Sequence, residues 1–269
     1  MFFDLERIRW RLGVALLLGC FGLPDAAFAF SPKTRVEIIE RAARLMPPAL
    51  GRQLAKHRKS LLAGALEPLM HTEMSALGAN EKLECVDASV QALVEAMEEQ
   101  QPMKNVARIF GRIAFESANL SFGLNTRQDD PREERIYLEF TRYVEAKLPK
   151  IKTTFGGFAD PALHAQDPEK FCEEIASRAR RDYDGILRSY FPEGRKSGVA
   201  DFDDRSVAFA TASLEVSLAV TATARAWLFA WHRAHGDLHG TPLLDPSAIR
   251  TPFASIEPAT RSKQLETRP

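Results

Sequence analysis

The chain has 269 residues, 45% of them apolar, a share that suits one globular domain with a sizeable core. Its 36 Lys and Arg balance 36 Asp and Glu, so the formal charge is zero. A neutral chain excludes any overall electrostatic case for wrapping nucleic acid or coating an anionic membrane, although a local patch of either sign is compatible with it.

Taken in chain order, Arg7, Arg9 and Arg11 precede an apolar run from Leu12 to Leu23, which Pro24 and Asp25 break before Ala27-Phe28-Ala29. A charged start, a short apolar middle and small residues at alternate positions form the pattern of an export signal, with cleavage expected after Ala29. The run is shorter than the roughly 20 residues a bilayer span needs. Two other readings stay open. Asp4 and Glu6 are unusual in the charged region and leave room for an uncleaved anchor, and Cys20 offers a lipid-attachment point that Leu18 before Gly19 serves poorly. The expected location is periplasmic or secreted, with 1–29 as the leader, 30–239 as a helical domain and 240–269 as a Pro-rich, disordered tail.

Seven helices are predicted in the domain. Ser31-Pro32 opens the first with a Ser cap and Pro at the first helical position, and Pro47-Pro48 ends it. The second covers about Ala49 to Leu66, the third Asn80 to Gln100 and the fourth Pro102 to Leu120, each with apolar residues at helical spacing. Asp130-Pro131 opens a fifth that reaches Leu148, and Lys150 to Gln166 reads as irregular. Asp167-Pro168 opens a sixth ending near Tyr190, and the last runs from about Asp204 to His235, with Gly236 as its stop. From Val207 to Trp231 that helix is apolar on more than one side, which marks the buried centre of a bundle. No stretch alternates long enough for a sheet, so the expected fold is an all-α, single multi-helix bundle.

Composition leaves few sites for chemistry. After leader removal Cys85 and Cys172 remain, either as one disulfide or as two buried thiols, and no CxxC pair is present for a zinc knuckle. Gly-x-Ser-x-Gly is absent. Asp201, Asp203 and Asp204 form the densest acid cluster and read as a cap on the last helix; a calcium loop needs more oxygens at a different spacing. Arg178, Arg180, Arg181 and Arg188 read as a solvated face pairing with Asp182 and Asp184. His232, His235 and His239 would share a face only if the last helix ran on past Gly236.

Four segments carry a resemblance. They are Phe30-Ser-Pro-Lys-Thr-Arg35 with the helix that follows, Leu62-Ala-Gly-Ala-Leu-Glu-Pro68, the stretch Arg108 to Asn125, and Asp201-Phe-Asp-Asp-Arg-Ser206 running into the last helix. Together they resemble, in pattern rather than identity, the bacterial zinc-dependent phospholipase C family, whose helical fold is shared with the single-strand-specific zinc nucleases. The resemblance implies a helical phospholipase C-like fold in which the residue freed by leader cleavage, here Phe30, lies in the metal site. It also implies where metal ligands belong. At those positions this chain carries Arg35 and Phe115 for His, Leu69 and Asn119 for Asp, and Asn125 for His. Zinc takes imidazole, carboxylate or thiolate donors, so the family's zinc site is not expected to form.

The expected protein is therefore an exported, non-catalytic relative without a cofactor. Its degenerate cleft would be lined by Phe30, Arg35, Leu69, Phe115, Asn119 and Asn125. It would act as a binding or structural module. Arg35 offers a donor fork to a phospholipid head group or another phosphate-bearing ligand. Nucleic acid is not expected as a partner, nor is a transmembrane span in the mature chain. Two alternatives stay open. One is an active phosphodiesterase or phospholipase whose zinc site is rebuilt from His71, Glu73 and Glu116, or from the C-terminal histidines. The other is a helical envelope protein unrelated to the family.

Overall fold

The computed structural model describes residues 29–66, 79–126 and 131–243. Among the described residues there are nine α-helices and no strands: α1 (Pro32–Ala43), α2 (Pro48–Lys56), α3 (Arg58–Ala65), α4 (Ala79–Glu98), α5 (Met103–Leu120), α6 (Pro131–Lys147), α7 (Pro161–His164), α8 (Pro168–Tyr190) and α9 (Val207–Arg233). The all-helical expectation holds. The leader up to residue 28, Leu69, His71 and Glu73, and the tail from residue 244 lie outside the described residues.

The local signals explain several starts. Ser31 Oγ accepts the Thr34 N–H at 3.2 Å with Pro32 at the first position of α1, and Asp167 does the same for Lys170 ahead of Pro168 in α8. Three expectations are corrected. The single helix expected over Ala49 to Leu66 is two, because His57 leaves helical geometry at φ −106° and ψ 25°. The irregular stretch before Gln166 contains α7, which Asp160 caps by accepting from Ala162 and Leu163. The last helix starts at Val207 with Ser206 as its cap, not at Asp204. Asp204 instead receives Lys147 Nζ at 2.7 Å and Lys150, Asp203 accepts from the Arg205 amide, and Asp201 accepts from Ser197 and Gly198. Each acid is thus engaged elsewhere, and the cap falls to Ser206.

At its other end α9 closes with a Schellman turn. The Gly236 N–H reaches Trp231 O and the His235 N–H reaches His232 O. The left-handed position is occupied by His235, at φ 59°. Gly236 is needed for space instead, since a Cβ there would lie 2.2 Å from the Trp231 ring.

Packing is organised by α9 and α5. Most of α9 is buried, against α1, α4, α5 and α8. By length and composition it is the one described helix that would suit a bilayer, and a central bundle helix meets the same test. Trp227 Nε1 donates to Phe110 O at 2.8 Å and ties α9 to α5. The closest approach is between α3 and α5. A Cβ on Gly64 would lie 2.0 Å from Arg108 O, and one on Gly111 would lie 1.9 Å from Leu61 O. Two glycines, one on each helix, thus let the backbones touch. Gly111→Ala is expected to force them apart at a cost of about 1–3 kcal/mol or more, read as a lowered urea midpoint. An unchanged midpoint would show that the pair separates without loss.

Two arginines fasten the long connection between α6 and α8. Arg41 Nη1 donates to Ile151 O and Thr153 Oγ1, and Nη2 to Leu148 O, so free carbonyls beyond the end of α6 gain donors. Arg225, from the apolar stretch of α9, donates to Gly156 O, Gly157 O and Asp160 Oδ2, each at 2.8 Å.

Candidate functional site around Phe30

The structure brings together five of the residues that the resemblance assigns to one site. Phe30 is fully buried just before α1, and its carbonyl accepts Arg35 Nε at 3.0 Å. Arg35 Nη1 donates to Ala65 O, the last residue of α3, at 3.2 Å. The guanidinium lies 5.5 Å over the Phe115 ring of α5. One turn on, Asn119 gives its backbone carbonyl to Asn125 Nδ2 at 3.1 Å, and Asn125 Oδ1 accepts Tyr137 Oη at 2.7 Å. The Phe30 ring packs on Phe122 at 4.9 Å, and Phe122 packs on Tyr137 at 5.5 Å, which joins the two halves of the cluster.

Burial changes what this place can do. Arg35 is 3% exposed and Phe115 2%, Asn119 is buried, and Asn125 is half-buried. The described side chains of the cluster therefore lie within the core, with Asn125 at its edge. Burial pushes Arg35 down to about 10, with nearby Tyr137 acting in the opposite direction, so the guanidinium stays charged near neutrality. Burial also holds the Tyr137 phenol well above its usual range, with Glu133 and Glu215 adding to the effect.

The donor chemistry here does not fit zinc. A guanidinium already sits on the Phe30 carbonyl, a phenyl ring stands where the resemblance would place an imidazole, and the Asn125 amide is engaged by Tyr137 and Asn119. Glu116 does not repair the site. Although next to Phe115 in sequence, it reaches α4, where Oε1 accepts Ser89 Oγ at 2.9 Å, and it also accepts Arg112 Nε from one turn earlier on α5 at 3.2 Å. The C-terminal histidines do not converge either. His232 lies on the last turn of α9, His235 is in the left-handed turn that ends it, and the His239 amide bonds Asp237. Burial, and then His235, lowers the His232 pKa. Among the described residues no three His, Cys, Asp or Glu side chains converge to hold a metal ion.

Cys172 is a free, fully buried thiol, and burial pushes its pKa up, which leaves it a poor nucleophile. Arg178, Arg180, Arg181 and Arg188 are exposed on α8, as expected of a solvated face; Arg181 acts on Asp182, and Arg188 Nε bonds the backbone carbonyl of Asp184.

Three residues essential to this interior escaped the sequence reading: Tyr137, Glu215 and Arg225. Glu215 and Arg225 carried a usable signal, since they are lone charges inside the long apolar run of α9. Tyr137 carried none, because a Tyr on an amphipathic helix reads as ordinary core.

No protein-family model matches the chain, and neither does a curated protein or a solved structure. The class that fold and site define together is an all-helical bundle with a buried cation beside Phe30.

Proposed function

We propose that this chain is an exported, non-catalytic helical module built on the plan of the zinc-dependent phospholipases C, with Arg35 as a covalently attached cation where that family holds metal. The observation that carries this reading is that Arg35 of α1 bonds the Phe30 carbonyl and lies over Phe115 of α5, with Asn119 one turn on and Asn125, bonded to the Asn119 carbonyl, in the turn that follows. A guanidinium donating to the carbonyls of Phe30 and Ala65 keeps positive charge in the pocket without a bound ion. Arginine suits this use because it stays charged and offers its donors in a fixed plane. A phosphate-bearing ligand at Arg35 would have to replace both carbonyls, so the geometry favours a structural role for this pocket over head-group capture.

The test is to express the full chain with its own leader and purify it from the exported fraction. Sequencing should place the mature start at Phe30. Metal analysis should find no stoichiometric zinc, and a phosphodiester reporter should show no hydrolysis that chelation removes. Stoichiometric zinc with chelator-sensitive hydrolysis would instead make the protein an enzyme with a rearranged site.

A further inference from the structure

Glu215 lies in the first half of α9 and is completely buried. Its Oε1 accepts the Gly123 N–H at 2.6 Å, while Oε2 has no hydrogen-bond partner among the described residues. Gly123 opens a short 3-10 turn, Gly123–Asn125, directly after α5. That turn is wedged in place. A Cβ on Gly123 would lie 2.6 Å from Glu215 Oε1 and 3.1 Å from both Ala179 O and Tyr183 N of α8. The same turn presents Asn125 to Tyr137. Asp182 on α8 acts on the carboxyl directly, and Tyr137 on α6 is the neighbour on which Glu215, Glu133 and Arg35 all act.

We propose that Glu215 is a proton-operated latch: with its proton on Oε2 it seats the Gly123–Asn125 turn between α8 and α9, and loss of that proton unseats the turn and releases Tyr137 from Asn125. The ionised carboxylate keeps one N–H donor, and a hydrogen bond to a charged group contributes about 1.5–3 kcal/mol. Leaving a charge in this interior costs several kcal/mol, and Asp182, another acid, adds to that cost. The neutral acid avoids that charge penalty and keeps the Gly123 bond, and its unpaired Oε2–H costs less, about 1–3 kcal/mol. Burial accordingly holds the Glu215 carboxyl well above the usual carboxylate range. The latch needs no bound ligand and does not depend on the chain's proposed function.

The experiment follows amide exchange at Gly123 to Thr126 in the full chain across neutral to alkaline pH, after correction for intrinsic exchange. Beyond its onset, opening linked to one proton lowers protection about tenfold per pH unit. In Glu215→Gln, which keeps the shape and the acceptor, protection should be flat with pH. Tyr137→Phe, which removes only the bond to Asn125, should keep the wild-type pH dependence at Gly123. A carbon-13 titration of the Glu215 carboxyl in the wild type provides a second reading that needs no variant. The latch is refuted if that carboxyl ionises in the ordinary carboxylate range within the folded protein, or if Glu215→Gln loses protection with pH as the wild type does.

Discussion

Arg35→Ala is expected to destabilise the fold by roughly 3 kcal/mol near neutral pH. Two buried carbonyls, those of Phe30 and Ala65, lose their donor, and each orphaned group costs about 1–3 kcal/mol. The long side chain also leaves a hole over Phe115. Relief of the buried charge offsets part of this loss, because burial already works against the cation. Two companion variants separate the contributions. Arg35→Met restores volume without donors, and Arg35→Lys restores charge without the planar fork that spans both carbonyls. Urea unfolding should rank wild type above Lys, and both Met and Ala below Lys. Met equal to wild type would show that packing alone accounts for the residue. Ala within about 0.5 kcal/mol of wild type, the range of an ordinary surface change, would remove the buried cation from any account of this fold.

How much of this was legible follows from the range over which each signal acts. Caps are local, so Ser31-Pro32 and Asp167-Pro168 marked the starts of α1 and α8 correctly. The start of α9 was misplaced because the decisive interaction is distant: Asp204 is held by Lys147 and Lys150, more than fifty residues earlier, which leaves Ser206 to cap. The break at His57 carried no Gly or Pro, and only the non-helical backbone angles reveal it. Gly64 carried no signal within its predicted helix, yet it is needed because a Cβ there would meet Arg108 O of α5.

The site was legible as a set of positions and not as an environment. Phe115 and Asn119, four apart, had to share a face of α5, and the resemblance added Phe30, Arg35 and Asn125 to them. What engages Arg35 and Asn125 depends on Ala65 and Tyr137, which arrive from α3 and α6 and have no pattern of their own. Arg35 looked like a free donor fork because nothing in its own helix uses it. Its acceptors include a carbonyl thirty residues away.

Glu116 supplies the other large effect, and its sign is opposite to that of most acids. Its carboxyl is fully buried between α4, α5 and α8, and burial raises its pKa from 4.5 to about 7, against the pull of Ser89 and Arg112. The folded state therefore holds a proton that the unfolded chain has already released between those two values. Stability from this group is fully present below the unfolded value and is lost as pH rises through about 7. At about 1.4 kcal/mol per unit, the rise from 4.5 to about 7 amounts to roughly 3 kcal/mol. Glu116→Gln cannot titrate and keeps an oxygen for Ser89 Oγ. Its stability relative to wild type should improve by roughly 3 kcal/mol between about pH 4 and pH 8 and then level off. The fixed cost of placing an amide beside Arg112 shifts the whole curve without changing its shape. Glu215 contributes its own slope equally to both proteins, so the difference between them isolates Glu116. Urea unfolding at constant ionic strength across that range measures it. A difference that stays constant with pH would mean that Glu116 ionises in the folded protein as it does in the unfolded chain, with Arg112 and Ser89 offsetting the whole cost of its burial.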